Sequence, residues 1–178
     1  MEINIRKSNL KELTSQRIPK DFAGKMKYFN EGLEKKCYPY IPRKNPITVE
    51  EIKKLWIPYA ENNIDFIAET NGKIIGSATI FYDLNATAYK EASLRKPGEI
   101  GMAIAPDYSH KDIGTKIIRT IISELERTNK TALLHTDINF GEEKSIMETL
   151  GYKGKLIENF KRYTKAGLSG KVLEYKLP

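Results

Sequence analysis

The sequence predicts an α/β fold: one domain over residues 1–178, with a mixed, mostly antiparallel sheet flanked by helices. Three observations carry this. "IDFIAET", "NG" and "KIIGSATIFY" read as strand, tight turn, strand, because Asn71-Gly72 suits a type I′ turn with positive φ at both positions. "GEIGMAIAP", the helical stretch from Ile113 and "TALLHT" read as a central β-α-β unit, whose strands pair in parallel through a right-handed crossover. Two strands near 155–163 and 171–177, separated by "TKAGLSG", end the chain as a second hairpin.

The remaining elements follow in order. "EINIR" alternates Ile3 and Ile5 with polar residues, a short strand. Residues 9–36 read as helical, with Pro19 and Gly24 as breakers. "CYPYIPRKNP" carries Pro39, Pro42 and Pro46 and reads as a loop. Thr48 and Glu51 match a capping box. They open a helix with Val49, Ile52, Leu55 and Trp56 on one face, ending near Pro58. Residues 83–97 form a long polar connection, a length often tied to function. In the central helix, Ile113, Ile117, Ile118, Ile121, Ile122 and Leu125 share one stripe, and Asn129 is a plausible stop. "GEEKSIMETLGY" is a further helix ending at Gly151.

Composition narrows the function classes. No window approaches ~18 consecutive apolar residues, so no membrane span is expected. "MEINIRKSNL" lacks the apolar run of a signal peptide, and the single cysteine, Cys37, rules out an internal disulfide. A cytoplasmic location is the expectation, so the "NAT" and "NKT" sites at Asn85 and Asn129 are set aside. Net charge is +7, but residues 61–152 hold 10 basic against 14 acidic groups. The basic excess therefore lies at the two ends, and nucleic-acid binding is disfavoured. The tail, with Phe160, Tyr163 and Tyr175 among lysines, comes nearest to such a surface.

With this element order, the chain resembles the GNAT acetyltransferases. The resemblance centres on Ile104 to Ile118. The family pattern there is Val/Ile-x-Pro, Gln/Arg-x-x-Gly-x-Gly/Ala, then an amphipathic helix. This chain has Ile104-Ala105-Pro106, Ser109-His110-Lys111-Asp112-Ile113-Gly114, then the isoleucine stripe. "METLGY", Met147 to Tyr152, looks like the family's Tyr-x-x-x-Gly-Phe. Ser109 stands for Gln/Arg, Asp112 for the first glycine and Met147 for the tyrosine. Asn139 resembles a family asparagine, one residue early.

The resemblance implies acetyl-CoA as cosubstrate and a primary amine as acceptor. Ser109, His110, Lys111, Asp112, Ile113, Gly114 and Thr115 are then the pyrophosphate cradle, since a helix N-terminus presents free N–H groups and a positive dipole end. Gly114 is expected to lend backbone freedom, and the Ser109 and Thr115 hydroxyls could donate. Alternatively, Ser109 and Asp112 form an S-x-x-D helix start with no ligand. Met102, Ala103 and Ile104 are the strand edge that the family uses for the pantetheine arm, where the sheet splays. Asn139 completes the cosubstrate set.

An alkyl amine is only about 0.04% neutral at pH 7, so a general base is useful. Glu99 is the only carboxylate on the strand before the cradle, and it is either that base or an exposed strand-end glutamate. Taking the family's position for the base requires one residue of bulge. Tyr152 is the candidate acid for the leaving thiolate, with Ser145 or water as substitutes. His135 is a base, or a core or sheet-face histidine. Tyr38 and Tyr40, flanking Pro39, suit a cationic amine or simply pack under the loop, and Trp56 and residues 83–97 complete that acceptor region. Cys37 has no evident His partner, and no metal-ligand spacing is present. The competing reading is a non-catalytic acyl-CoA-binding module. A homodimer is compatible with the resemblance.

Overall fold

The computed structural model describes residues 2–8, 20–38, 46, 48, 50, 63–82, 96–109, 112–139, 141–161 and 169–178. The capping-box helix, Pro39, Tyr40, Trp56, most of the 83–97 connection, His110, Lys111 and Tyr163 lie outside them.

The sheet has seven strands: β1 (Asn4–Lys7), β2 (Ile64–Thr70), β3 (Lys73–Phe81), β4 (Glu99–Ile104), β5 (Ala132–Asp137), β6 (Lys155–Ile157) and β7 (Val172–Leu177). Their spatial order is β1-β2-β3-β4-β5-β7-β6. Every neighbouring pair is antiparallel except β4 with β5. The helices are α1 (Lys20–Glu34), α2 (Ile113–Thr128) and α3 (Gly141–Thr149).

The turn between β2 and β3 takes positive φ at both Asn71 and Gly72, 48° and 72°. The register slips between Ala68 and Glu69, leaving Ile75 as the extra residue of β3. Strand β6 covers three residues, shorter than the stretch near 155–163 that the sequence predicts.

The stripe on α2 closes one face of the sheet. Ile113, Ile117, Ile118, Ile121 and Leu125 are all buried against Phe66, Ala78, Ile80, Ile100, Leu134 and Tyr175. Burying each such aliphatic chain is worth about 1.5–3 kcal/mol. Helix α1 covers the other face, where Tyr28 packs with Ile67, Ile74 and Ala105. Gly24 does not break α1. It lies inside the helix, where a Cβ would stand 2.9 Å from Ile74 Cγ1, so the missing side chain lets α1 approach β3. Side chains alternate along a strand. On β4, Ile100, Met102 and Ile104 therefore face α2, whereas Glu99, Gly101 and Ala103 face α1.

Candidate active site

Strands β4 and β5 share a single register pair, Glu99 with Leu133, supported by the Leu133 N–H donating to Gly98 O at 2.9 Å. Beyond it β4 stays on β3 as far as Ile104 opposite Gly76, and β5 pairs along its whole length with β7. The sheet thus opens between its two central parallel strands, with Glu99 at the apex. Met102, Ala103 and Ile104 are only half-buried on one wall of this opening. Asn139 follows the end of β5, and its backbone and side-chain N–H groups both donate to Asp137 Oδ1.

Glu99 is not an exposed strand-end residue; its accessibility is 0%. The β3–β4 ladder runs without a break from Gly76–Ile104 to Phe81–Glu99, so the bulge that the family register asked for is absent there. One carboxylate oxygen of Glu99 accepts the Lys96 N–H at 3.1 Å. The other lies 3.6 Å from His135 Nδ1, and His135 Nε2 lies 3.0 Å from Glu174 Oε2. Lys96 Nζ reaches that same Glu174 oxygen at 2.6 Å. The Phe160 ring stacks on the imidazole with centroids 4.6 Å apart. The Lys96 hydrogen bond, helped by His135, holds the Glu174 carboxyl below its ordinary range despite burial. A buried charge is tolerated only when paired in this way. His135 is therefore a sheet-face histidine inside a charged cluster, not an apolar core residue.

A second polar group lies on the same face beneath α1. Lys25 Nζ pairs with Asp65, whose side chain is fully buried, and Thr79 Oγ1 donates to the same carboxylate oxygen. Tyr28 Oη lies 2.6 Å from Ser77 Oγ and 3.3 Å from Ala103 O. Tyr38 stacks on Phe29 and donates to Ile104 O at 2.9 Å. Burial pushes both phenols well above their ordinary range. Tyr38 thus packs as a buried support of the β4 end.

The cradle begins with a 3-10 turn, Pro106–Tyr108, and Ser109 Oγ donates back to Pro106 O at 2.9 Å. The N-cap of α2 is Asp112, in the left-handed region at φ 54° and ψ 14°, with no side-chain cap bond. The S-x-x-D capping arrangement is thereby excluded, because the Ser109 hydroxyl is engaged in its own turn. Asp112 occupies the conformation that the family's glycine would adopt without strain, and an aspartate is among the few residues that tolerate it. Its side chain is exposed. Gly114 has no positive φ, contrary to the expected backbone freedom. Its role is space: a Cβ would meet Ile146 Cδ1 at 2.9 Å and Met102 Cε at 3.5 Å. Ile113 is buried and Thr115 half-buried on the first turn.

Tyr152 caps α3, its N–H donating to Met147 O at 2.9 Å, and it packs against the core on the α2 face. Burial, with Glu126 adding to it, raises its phenol. Glu99 and Tyr152 thus stand on opposite faces of the sheet. Met147 is fully buried in that core. Cys37 is exposed. Glu174 and Lys96 were missed by sequence reasoning: alternation along "VLEYKL" puts Glu174 in the phase opposite to Leu173 and Tyr175, with Lys176, where a charge reads as solvent-facing.

Among known proteins, the acetyltransferase (GNAT) family profile matches residues 30–146. Solved structures with a similar fold include the N-acetyltransferase from Staphylococcus aureus Mu50, at 14% identity and TM-score 0.64, covering 99% of this chain and 98% of that one. The ribosomal-protein-S18-alanine N-acetyltransferase from Escherichia coli matches at 15% identity and TM-score 0.60, covering 99% and 94%. A GNAT superfamily phosphinothricin acetyltransferase from Sinorhizobium meliloti, solved in complex with acetyl-CoA, matches at 12% identity and TM-score 0.66, covering 100% and 89%. At these identities the structural likeness speaks to the fold alone. The family profile spans more than half of the sequence, and the chain belongs to the GNAT acetyltransferase family.

Proposed function

We propose that this protein transfers an acetyl group from acetyl-CoA to a primary amine by direct attack, with Glu99 as general base. The observation that carries the reading is the opening between β4 and β5, which has a buried carboxylate at its apex and a helix N-terminus at its mouth. The residues present suit the cosubstrate. The exposed carboxylate of Asp112 leaves the N–H groups of the first turn of α2 to receive an anion, and the half-buried β4 edge suits an amide-bearing arm. From Glu99 to Ile104 the strand runs about 17 Å at roughly 3.3 Å per residue, so an extended arm held at the cradle directs its thioester toward the apex.

In this reading the amine nitrogen attacks the thioester carbonyl, the carbon–sulfur bond breaks, and the thiolate leaves. The proton shed by the nitrogen goes to Glu99, through a water because the carboxylate is fully buried. Tyr152, kept neutral by burial, is the proposed donor to the thiolate. An ordinary thiol has a pKa near 8.5, so that protonation contributes only about 2 kcal/mol at pH 7. Positioning supplies much of the remainder.

The full burial of Glu99 favours a second reading, an acyl-CoA-binding module without transfer. Release of coenzyme A from acetyl-CoA, measured across a panel of primary amines, separates the two. Amine-dependent release that falls at least 100-fold in Glu99→Gln supports transfer. Binding of acetyl-CoA with no amine-dependent release supports the module.

A further inference from the structure

Glu99 is delivered to the apex of the opening by a turn of four consecutive residues, Lys96-Pro97-Gly98-Glu99. Proline presets φ at the second position of a type II turn, and Gly98 supplies the positive φ, 82°, that the third position requires. The Glu99 N–H donates to Lys96 O at 3.0 Å and closes the turn. The Lys96 N–H donates in return to Glu99 Oε2 at 3.1 Å. Lys96 and Glu99 are thus joined by reciprocal bonds, one holding the backbone of Glu99 and one holding its carboxylate. Gly98 anchors the turn in the sheet. Its N–H donates to Phe81 O on β3 at 2.7 Å, and its carbonyl accepts the Leu133 N–H from β5. The second of these bonds lies beside the only register pair between β4 and β5, so the turn sits where the sheet begins to open. A Cβ at Gly98 would stand 3.4 Å from Thr131 O, and a φ of 82° strains an L side chain.

We propose that Gly98 and Lys96 are positioning residues, whose turn holds the Glu99 carboxylate in place for proton transfer. The inference rests on Glu99 being the base. A general base acts only within hydrogen-bond reach of its proton, directly or through one water, and a misplacement of about 1 Å can cost about 100-fold in rate. A glutamate side chain has several rotatable bonds, and the Lys96 N–H removes that freedom by fixing Oε2. The other oxygen then lies on the His135 side, 3.6 Å from Nδ1. The donor is a main-chain group, so its direction is set by the turn and not by the side chain at position 96. The Lys96 ammonium acts elsewhere, on Glu174 Oε2 at 2.6 Å. The two contributions of Lys96 can therefore be removed separately.

The test begins on the full chain without ligand. Amide hydrogen exchange should show the Lys96 N–H protected, and about 10-fold or more faster in Glu99→Ala, which removes its acceptor. Equal exchange of that N–H in the two proteins overturns the proposal. Kinetics follow, with acetyl-CoA and whichever amine of the panel is acetylated. Gly98→Ala should lose about 10- to 100-fold in kcat, with the KM for acetyl-CoA kept. Gly72→Ala is the control for backbone strain: it makes the same change at φ 72° in the β2–β3 turn, with nothing within 4 Å of the new Cβ. It should keep kcat within about twofold. Lys96→Pro removes the N–H as well as the ammonium, whereas Lys96→Met removes the ammonium alone. The first should lose at least about 10-fold more in kcat than the second. Equal losses in the two Lys96 variants, or a Gly98→Ala that raises KM and keeps kcat, overturn the proposal. An active Glu99→Gln rejects the base itself, whatever the exchange of Lys96 shows.

Discussion

The backbone of Glu99 pairs with that of Leu133, and this is the only register pair between β4 and β5. The carboxylate at the last point of contact is therefore also the first residue of the opening. Burial of Glu99 and divergence of the strands are two aspects of one arrangement, and the functional reading depends on their coincidence.

Asp112 is exposed, left-handed and without a cap bond. Asp112→Gly removes a side chain from a conformation that glycine adopts freely, but also removes a negative charge from a helix N-terminus, where it is worth about 0.3–1 kcal/mol. The two effects oppose each other. Unfolding free energy from urea titration should change by less than about 1 kcal/mol. Acetyl-CoA binding by calorimetry should tighten no more than about threefold, as for a carboxylate pointing into water and screened there. A tenfold gain would show that Asp112 faces the anion.

Gly114 has no room for a side chain. In Gly114→Ala the new Cβ meets only the flexible tip of Ile146, so the loss should stay near 1 kcal/mol. Gly114→Val adds two methyl groups toward Met102 and Ile104, and a loss of about 2–3 kcal/mol is expected. Equal stability of the two variants by thermal unfolding would contradict this packing.

The Lys25–Asp65 pair is buried on the carboxylate side, with Thr79 on the same oxygen. Lys25→Met leaves that carboxylate without its cation and should cost about 3–5 kcal/mol. Lys25→Met combined with Asp65→Val should recover most of the loss, because the uncompensated charge is gone. If the double variant is as unstable as the single one in urea, the penalty is not electrostatic.

Tyr28 and Tyr38 have phenols raised by burial. A phenol raised in the folded state stays neutral there while the unfolded chain ionises near pH 10. The stability it contributes is thus fully present below about pH 10 and is lost as pH rises further, at up to about 1.4 kcal/mol per pH unit for each group. Tyr28→Phe should be less stable at pH 7, having lost its bond with Ser77, yet decline less steeply above pH 10. Glu174 behaves oppositely: its carboxyl is depressed, so its contribution is present above about pH 4–5 and is lost as pH falls toward its folded value. Parallel alkaline slopes for wild type and Tyr28→Phe would contradict the assignment of Tyr28.

Much of the fold was legible because its signals are local. Asn71-Gly72 fixes its hairpin by backbone preference, and the α2 stripe declares one buried face. The cradle was located by its place between strand and helix, although two details were not legible. The spacing left a capping pair of Ser109 and Asp112 open as an alternative, and Gly114 was expected to lend backbone freedom. Spacing alone does not reveal that Ser109 bonds backward to Pro106, or that Gly114 is crowded by Ile146 from α3. The charged cluster was largely hidden for the same reason. Glu99, His135 and Glu174 lie on three strands separated by 36 and 39 positions in sequence, and only the pairing of β5 with both β4 and β7 brings them together.

The central claim is that the reacting group lies in the opening at Glu99. A crystal structure of the full chain soaked with acetyl-CoA tests it most directly. The expected electron density has the pyrophosphate on the first N–H groups of α2, the arm along Met102 to Ile104, and the thioester within one water of the Glu99 carboxylate. Acetyl-CoA bound on another surface, or an arm running along β4 with its thioester directed away from Glu99, would contradict the account.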